Sequence, residues 1–183
     1  MKKFELTSEF ITNVLGTKLF RIKALIEFGD VSAGELGGYI EKEENLAQDG
    51  NAWVYGNAKV YGDAWVCDNA EVYGNAEVYG DAKVCGDAKV YGNAKVYGNA
   101  WVCGDADYST VKGFGRIFRT TTFFRKKDKD IGVSCGCFYG TLEEFRKKVK
   151  ETHGESKTAK EYLMLADLME YKFSREMDEE VNQ

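Results

Sequence analysis

The sequence predicts a mainly β protein, in which a solenoid of short parallel strands precedes a small α+β domain. Hexapeptides of the pattern [Asn/Asp]-Ala-x-Val-[Tyr/Cys]-Gly run from residue 51 to residue 107. A short fixed period is typical of a solenoid whose repeats each contribute one strand and one turn. After residue 107 the repeat stops, and alternating and then helical apolar patterns replace it.

Each hexapeptide contains one short strand. Side chains alternate along a strand, so Ala and Val point inward while x and Tyr or Cys point outward. Gly followed by Asn or Asp makes the corner, since these residues tolerate positive φ. We therefore expect Val78 and Ala82, in the middle of the solenoid, to be fully buried.

A second, longer period predicts the shape of the coil. The residue after Val is Cys only at Cys67, Cys85 and Cys103, and these positions are three hexapeptides apart. The same spacing produces two tyrosine columns, Tyr55/Tyr73/Tyr91 and Tyr61/Tyr79/Tyr97. Three hexapeptides per turn resemble the triangular coils of left-handed parallel β-helices. The predicted fold is therefore a left-handed parallel β-helix (hexapeptide repeat) with a small C-terminal α+β domain.

The flanking segments complete three predicted domains. Residues 1–50 should form a strand over 20–28 and a cap over 30–50, because an open solenoid end exposes strand edges. Residues 51–107 form the β-helix. Residues 108–183 should form a βββαα domain, with strands near 110–118, 120–126 and 131–138. Capping boxes at Thr141 and Thr158 should open the two helices.

Composition narrows the class of protein. The chain has 183 residues and a net charge of −5, and no apolar stretch is long enough to span a membrane. The N-terminus lacks the apolar run of a signal peptide. Five cysteines, an odd number, do not suggest a disulfide framework, and stacked parallel neighbours are expected to lie too far apart to bridge. We expect reduced thiols and a cytoplasmic protein.

Several segments resemble one family. GELGGYIEKEENLAQDGNAWVYGNAKVYG, VKGFGRIFRTTTFFR, SCGCFYGTLEEF and KVKETHGESKTAKEYL are similar to hexapeptide-repeat proteins of bacteriophages and prophages, over nearly the whole chain. The resemblance implies a viral protein acting in the cytoplasm of the host cell. It brings no established activity, so no catalytic residue can be transferred.

The sequence predicts no enzyme. Hexapeptide acyltransferases typically use a histidine base beside the coils, whereas the single histidine here, His153, follows a predicted helix. Carbonic anhydrases on this solenoid need several histidines for their metal. A column of parallel cysteines does not converge on a metal, and Cys135-Gly-Cys137, with both thiols on one strand face, lacks a second pair. We expect no metal and no cofactor.

One basic segment could bind phosphate. Residues 112–129 contain seven Lys or Arg and one acid. Arginine forks and hydroxyls suit phosphate groups, and the interleaved phenylalanines could stack on bases. Alternation should bring Arg119, Thr121 and Arg125 together while Phe118 and Phe124 turn inward. The alternative is a solvated strand face. The candidate ligand residues are Arg116, Arg119, Thr120, Thr121, Thr122 and Arg125.

The outward aromatic residues predict assembly. Small soluble proteins rarely leave so much aromatic surface bare, and Tyr and Trp are enriched in interfaces. We expect a homo-oligomer, trimer or dimer, or a docking surface for the tail. The candidate interface residues are Tyr55, Tyr61, Tyr73, Tyr79, Tyr91, Tyr97, Trp65 and Trp101, and Trp53 also points outward.

These observations favour a non-enzymatic phage or prophage accessory protein that acts by binding. It would inhibit a host defence protein or sequester a phosphorylated or nucleotide signal. The alternative is an oligomeric scaffolding module that assembles through the Tyr and Trp faces of the solenoid.

Overall fold

The computed structural model describes residues 2–115 and 117–174. The chain divides into two compact units between Asp105 and Ala106, which we call the solenoid unit and the C-terminal domain. The N-terminal segment and the repeats lie in the same unit. The predicted fold class, a β-solenoid with a small C-terminal domain of sheet and helices, is confirmed.

The repeats form nine two-residue strands that pair in parallel within three sheets. Numbered after three N-terminal strands, β4 to β12 are Trp53–Val54, Lys59–Val60, Trp65–Val66, Glu71–Val72, Glu77–Val78, Lys83–Val84, Lys89–Val90, Lys95–Val96 and Trp101–Val102. β5, β8 and β11 form one sheet with the N-terminal strands, β4, β7 and β10 form the second, and β6, β9 and β12 form the third. Strands three hexapeptides apart pair with one another, as Lys59 does with Glu77. The predicted coil of three hexapeptides is therefore confirmed.

Alanine and valine fill the centre of the coils, as their inward positions predict. Val78 is 0% exposed and Ala82 is 1% exposed. Backbone amides bond to the next coil, for example from Lys59 N to Ala76 O at 2.9 Å. Glycine is favoured at the corners for two reasons, as Gly62 shows. Its φ is +70°, and a Cβ at this position would meet the backbone of Gly80 in the next coil.

The outward side chains stack in columns. The rings of Tyr61 and Tyr79 are 4.9 Å apart and those of Tyr79 and Tyr97 are 5.3 Å apart. On another face, Lys83 Nζ lies 4.7 Å from the Trp65 ring and 5.8 Å from the Trp101 ring. Each column therefore joins neighbouring coils through side chains as well as through the backbone.

The cysteine column differs from the prediction. Cys85 and Cys103 form a disulfide with a Cα–Cα distance of 4.5 Å, while Cys67 is a buried free thiol. The prediction that stacked cysteines cannot bridge is wrong, because the spacing of adjacent parallel strands falls within the Cα range of disulfides. Burial raises the pKa of the Cys67 thiol to about 11.

The N-terminal segment is a β-hairpin that continues into the solenoid. β1 (Phe4–Thr12) and β2 (Lys18–Ala24) are antiparallel, and β3 (Leu36–Ile40) pairs with β2 and, in parallel, with β5. A 3-10 turn follows at Glu43–Asn45. The predicted single strand over 20–28 is wrong in extent, since β2 ends at Ala24 and its partner β1 was not foreseen.

The N-terminal segment covers Trp53, whose side chain was expected to point outward from the coil. The indole is 0% exposed and its ring lies 6.2 Å from Phe4 and 5.4 Å from Phe28. Lys3 Nζ closes the same region by donating to the carbonyl oxygens of Asp49, Gly50 and Ala52, the last at 3.0 Å. Trp53 is therefore part of the core of this unit.

The C-terminal domain packs two helices on a four-stranded antiparallel meander. A 3-10 turn at Asp105–Asp107 spans the boundary where this domain begins. One strand more is present than the three predicted, because the segment after the Gly136 turn pairs back on its neighbour. The elements are β13 (Tyr108–Phe114), β14 (Arg119–Arg125), β15 (Ile131–Cys135), β16 (Phe138–Thr141), α1 (Leu142–His153) and α2 (Lys157–Ser174).

The helix starts follow side-chain caps. Thr141 and Glu144 form the predicted capping box, with Thr141 Oγ1 accepting from Glu144 N at 3.2 Å. α2 begins before the predicted box at Thr158, because Ser156 Oγ accepts from Ala159 N at 3.2 Å. In the described part of the chain, no helix is long and apolar enough to cross a membrane.

Candidate functional site

A cleft of about 500 Å³ lies within the C-terminal domain. It opens between the ends of β14 to β16 and the two helices. Clefts of this volume are of the size that binds small molecules. Its lining combines an apolar floor with polar and cationic side chains, namely Ile117, Arg119, Cys135, Phe138, Phe145, Lys148, Val149, Thr152, His153 and Tyr162.

Arg119 enters the cleft at the start of β14. This strand begins two residues before the pair Thr121–Cys135, so Arg119 extends past the end of β15 and over the turn that follows. Its guanidinium packs against Gly136, where an added Cβ would collide with Nη1. Gly136 also has φ +63°. Glycine at this turn therefore gives the guanidinium its place at the cleft.

The thiol of Cys135 lies beside two hydroxyl groups. Thr121 Oγ1 donates to Cys135 Sγ at 3.2 Å, and Sγ donates to Tyr162 Oη at 3.9 Å. The Tyr162 hydroxyl in turn donates to Phe114 O at 3.4 Å. Thr121 is 1% exposed and Tyr162 is 7% exposed, whereas Cys135 is half-buried.

Tyr162 remains a neutral phenol at physiological pH. Burial, and next the neighbouring Cys135, raise its pKa to about 12. Its hydroxyl occupies the space above Gly115, since a Cβ on that residue would overlap it. A protonated, buried phenol can hold a hydrogen-bond partner in the cleft but cannot act as a general base near pH 7.

Helix α1 supplies two more polar groups. Lys148 and His153 line the cleft on one side, and the His153 ring stacks on Tyr162 with centroids 6.0 Å apart. Phe138 and Phe145, whose centroids are 5.5 Å apart, form the aromatic floor. No carboxylate is among the lining residues of the described chain. Arg119 and Lys148 thus make the cleft suited to an anion.

The candidate phosphate residues are only partly brought together. Arg116 lies outside the described residues. Thr120 is half-buried, and Thr122 is buried on the sheet face opposite Thr121. Arg125 lies at the far end of β14, where it bonds to Asp107 Oδ1 and Phe173 O, both at 3.1 Å.

Arg119 and Arg125 therefore do not converge on one anion. Six residues of strand separate them by about 20 Å at roughly 3.3 Å per residue. The predicted inward turn of Phe118 is also wrong, because Phe118 is 66% exposed in a turn with φ +51°. Phe123, on the same face as Arg119, fills the core beneath the helices, while Phe124 is buried on the other face.

The cleft contains four residues that the sequence did not predict to form a site, although His153 and Cys135 were considered there and set aside. These four residues come from three separate elements, so no local motif joins them. β15 contributes Cys135, α1 contributes Lys148 and His153, and α2 contributes Tyr162. Cys135 and Cys137 do not share a strand face, because β15 ends at Cys135 and Cys137 is exposed in the turn that follows. Gly115 of GFGR and Gly136 of SCGC were the signal in the sequence, since the first leaves room for Tyr162 and the second for Arg119.

The candidate interface residues lie on all three faces of the solenoid, with one tyrosine column on each of two faces and Trp65 and Trp101 on the third. Tyr91 is 49% exposed, and Trp65 and Trp101 are each 41% exposed. Burial raises the pKa of the half-buried Tyr55 to about 12. Whether these columns bind another subunit stays a prediction. Over the described ranges, no three metal-ligating side chains of His, Cys, Asp or Glu gather at one point.

Comparison with known proteins gives two matches for this chain. Residues 88–104 match the family model described as the YdcK beta solenoid repeat. The chain is also 44% identical over 62 residues to the protein named "Uncharacterized acetyltransferase YdcK" of Escherichia coli (strain K12). This match covers 30% of the chain and 19% of the relative. Together with the fold, the matches support a hexapeptide-repeat type of β-helix.

The second match corrects the prediction that the protein is not an enzyme. The name of the relative is that of an acetyltransferase, which points toward an enzyme. The prediction rested on the absence of a histidine beside the coils. It took no account of the cleft in the C-terminal domain, where His153 lies against Tyr162.

Proposed function

We propose that the cleft of the C-terminal domain binds a small phosphorylated ligand that carries a nucleotide. The observation that carries the proposal is the pairing of cationic side chains with an aromatic floor in one cavity. Nucleotides have this same division between an anionic end and an aromatic ring.

The charged side of the cleft supports an anionic ligand. Arg119 and Lys148 approach from the sheet and from α1, so they can hold a phosphate from two directions. Guanidinium groups bind phosphate oxygens through two parallel hydrogen bonds, and Lys adds a mobile positive charge. Glu151 lies 3.8 Å from Lys148 Nζ, but both side chains are largely exposed, and such pairs contribute little.

The apolar side supports an aromatic group on the same ligand. Phe138 and Phe145 line the cavity together with the stacked pair His153–Tyr162. Stacking of a base on an aromatic side chain contributes about 1–3 kcal/mol. The volume of about 500 Å³ is enough for a mononucleotide or for part of a larger ligand.

Two kinds of ligand fit this chemistry. The resemblance to phage and prophage proteins favours a nucleotide signal of the host, which the protein would capture in the cytoplasm; the same surface could instead engage a host defence protein. The name of the E. coli relative favours an acyl thioester with a nucleotide end, such as acetyl-coenzyme A.

Calorimetry with four probes tests the proposal: ADP, a cyclic dinucleotide, coenzyme A and inorganic phosphate. At least one nucleotide probe should bind wild type more tightly than phosphate does. Arg119→Ala and Lys148→Ala should each weaken that binding about tenfold or more, since a charged hydrogen bond contributes about 1.5–3 kcal/mol.

Lys147→Ala is the matched control. Lys147 is an exposed lysine next to Lys148 on α1 and is absent from the cleft lining. Its substitution should leave affinity unchanged. The proposal fails if wild type binds none of the four probes, or if Lys147→Ala weakens binding as much as Lys148→Ala does.

A second candidate function is assembly through the solenoid. Stacked, partly exposed tyrosines such as Tyr73 and Tyr91, 5.3 Å apart, favour a scaffolding module that forms a dimer or trimer. Light scattering should then give a mass above 20.6 kDa, and Tyr91→Ser should lower it. A monomer at micromolar concentration would exclude this function.

A further inference from the structure

A second cavity, of about 440 Å³, lies within the solenoid unit. It follows the outer side of the sheet that contains β5, β8 and β11, and β1 and β3 complete it. Its volume is in the range that accommodates small molecules. We call this cavity the solenoid groove, and its lining residues are Ile11, Tyr39, Asn57, Lys59, Asn75, Glu77, Asn93 and Lys95.

One wall of the solenoid groove is a ladder of exposed asparagines. Asn57, Asn75 and Asn93 occupy the same corner in three successive coils, and Asn75 Nδ2 donates to Asn93 Oδ1 at 3.4 Å. A carboxamide has two N–H donors and an oxygen that accepts two bonds, so every rung keeps polar atoms for a ligand. Unlike this column, the other two corner columns of the repeats include aspartates, namely Asp87 in one and Asp63 and Asp81 in the other.

The second wall consists of charged side chains that neutralise one another. Lys59, Glu77 and Lys95 are paired residues of β5, β8 and β11. Glu77 Oε1 lies 3.2 Å from Lys59 Nζ, and its Oε2 lies 3.1 Å from Lys95 Nζ. The shared carboxylate holds both ammonium groups along the groove. Because Glu77 stands between them, the groove has no run of one charge and is poorly suited to a phosphate.

Ile11 and Tyr39 complete the groove at the N-terminal coil. Tyr39 pairs with Lys59 and so forms the first position of the charged column. Its hydroxyl accepts from Arg21 Nη1 at 2.9 Å and donates to Glu9 Oε1 at 3.1 Å, which fixes the phenol. Ile11 is half-buried and adds an aliphatic surface. The lining therefore offers many hydrogen-bonding groups, little net charge and one apolar contact, which suits a neutral ligand with many hydroxyl groups.

We propose that the solenoid groove binds a short neutral oligosaccharide of β-linked pyranose rings. Adjacent hydroxyl groups on a sugar ring match a carboxamide, which donates to one oxygen and accepts from the next. The carboxylate of Glu77 accepts strong hydrogen bonds from hydroxyl groups. The apolar C–H groups of a ring would contact Ile11. The groove shares no lining residue with the cleft of the C-terminal domain, so this site is independent of the proposed nucleotide site.

The spacing of the ladder selects this type of polymer. Successive rungs are about 4.8 Å apart, which is the spacing of paired strands. The rings of an extended β-1,4-linked chain repeat at nearly the same distance, so one ring can lie at each asparagine. A peptide strand in the same place would present one face every 6.7 Å or so, about two residues of strand, and would fall out of step with the ladder.

Calorimetry with three trisaccharides tests the proposal: cellotriose, chitotriose and maltotriose. The first two are β-1,4-linked, while maltotriose has the glucose rings of cellotriose in α-1,4 linkage and cannot extend along a straight ladder. Wild type should bind cellotriose or chitotriose more tightly than maltotriose. The affinity should stay constant as salt rises, because salt screens charges and the ligand has none.

Asn75→Ala tests the central rung. It should weaken binding of the preferred trisaccharide by roughly 2- to 10-fold, as expected for loss of a neutral hydrogen bond. The double variant with Asn57→Ala should bind more weakly still. Asn69→Ala is the matched control, since Asn69 has the same place in the preceding hexapeptide and is absent from the groove lining. It should bind like wild type.

Three results would overturn the proposal. The first is that wild type binds none of the trisaccharides at millimolar concentration. The second is that maltotriose binds as tightly as the β-linked sugars. The third is that Asn75→Ala binds like wild type, or that Asn69→Ala weakens binding as much as Asn75→Ala does.

Discussion

Replacing Gly136 with alanine should test how the cleft is built. Gly136 has φ +63°, and an L-residue in that conformation costs roughly 1–2 kcal/mol. The new methyl would also occupy the place of the Arg119 guanidinium. The displaced arginine would lose a charged contact of about 1.5–3 kcal/mol, which weakens coenzyme A binding by roughly 10- to 150-fold.

Two measurements are needed, chemical denaturation for stability and calorimetry with coenzyme A for affinity. The double variant Gly136→Ala with Arg119→Ala supplies the decisive comparison, because a shared mechanism makes effects non-additive. The double variant should bind as weakly as Arg119→Ala alone. Wild-type affinity in Gly136→Ala, or additive losses in the double variant, would refute the account of the Gly136 turn.

Other perturbations act on the solenoid unit. Val78→Asp places an unpaired charge in the core and should destabilise the fold by several kcal/mol. Ala82→Leu should destabilise it by about 1–3 kcal/mol through overpacking. If both variants melt at the wild-type temperature, these side chains do not point into the core. Burial lowers the pKa of Lys3 from its ordinary 10.5 to about 8, against a smaller opposing effect of Asp49. The unfolded chain therefore binds more protons between these values, so stability should rise with pH from about 8 to 10.5. Lys3→Met should flatten that rise in denaturation curves, and an equal slope in both proteins would contradict the cause given.

The solenoid could be predicted from sequence because its geometry is periodic. Each Ala and Val repeats the same local environment, and coil stacking follows from the spacing of Cys67, Cys85 and Cys103 once three hexapeptides form a turn. The N-terminal hairpin was harder. β1 alternates weakly, with Leu6 half-buried and Phe10 46% exposed, and the cover over Trp53 depends on contacts between distant residues.

The cleft could not be predicted as a unit. Arg119 was identified from its basic segment, but the other lining residues Cys135, Lys148 and Tyr162 join it in one cleft only when the helices pack on the sheet. Arg125 was misjudged for the same reason, since its contact with Phe173 O joins residues 48 positions apart. Strand alternation predicted which side chains share a face, but not which face the helices would cover.

The vertical pairing of the coils sets a rule for insertions and deletions. Partners in neighbouring coils are 18 residues apart, although the repeat itself is a hexapeptide. Loss of one hexapeptide would keep every inward Ala and Val, yet it would rotate the later coils by one face and set Tyr above Cys. Loss or gain of a whole coil would preserve every column, so the length of this solenoid can change neutrally only in steps of three hexapeptides.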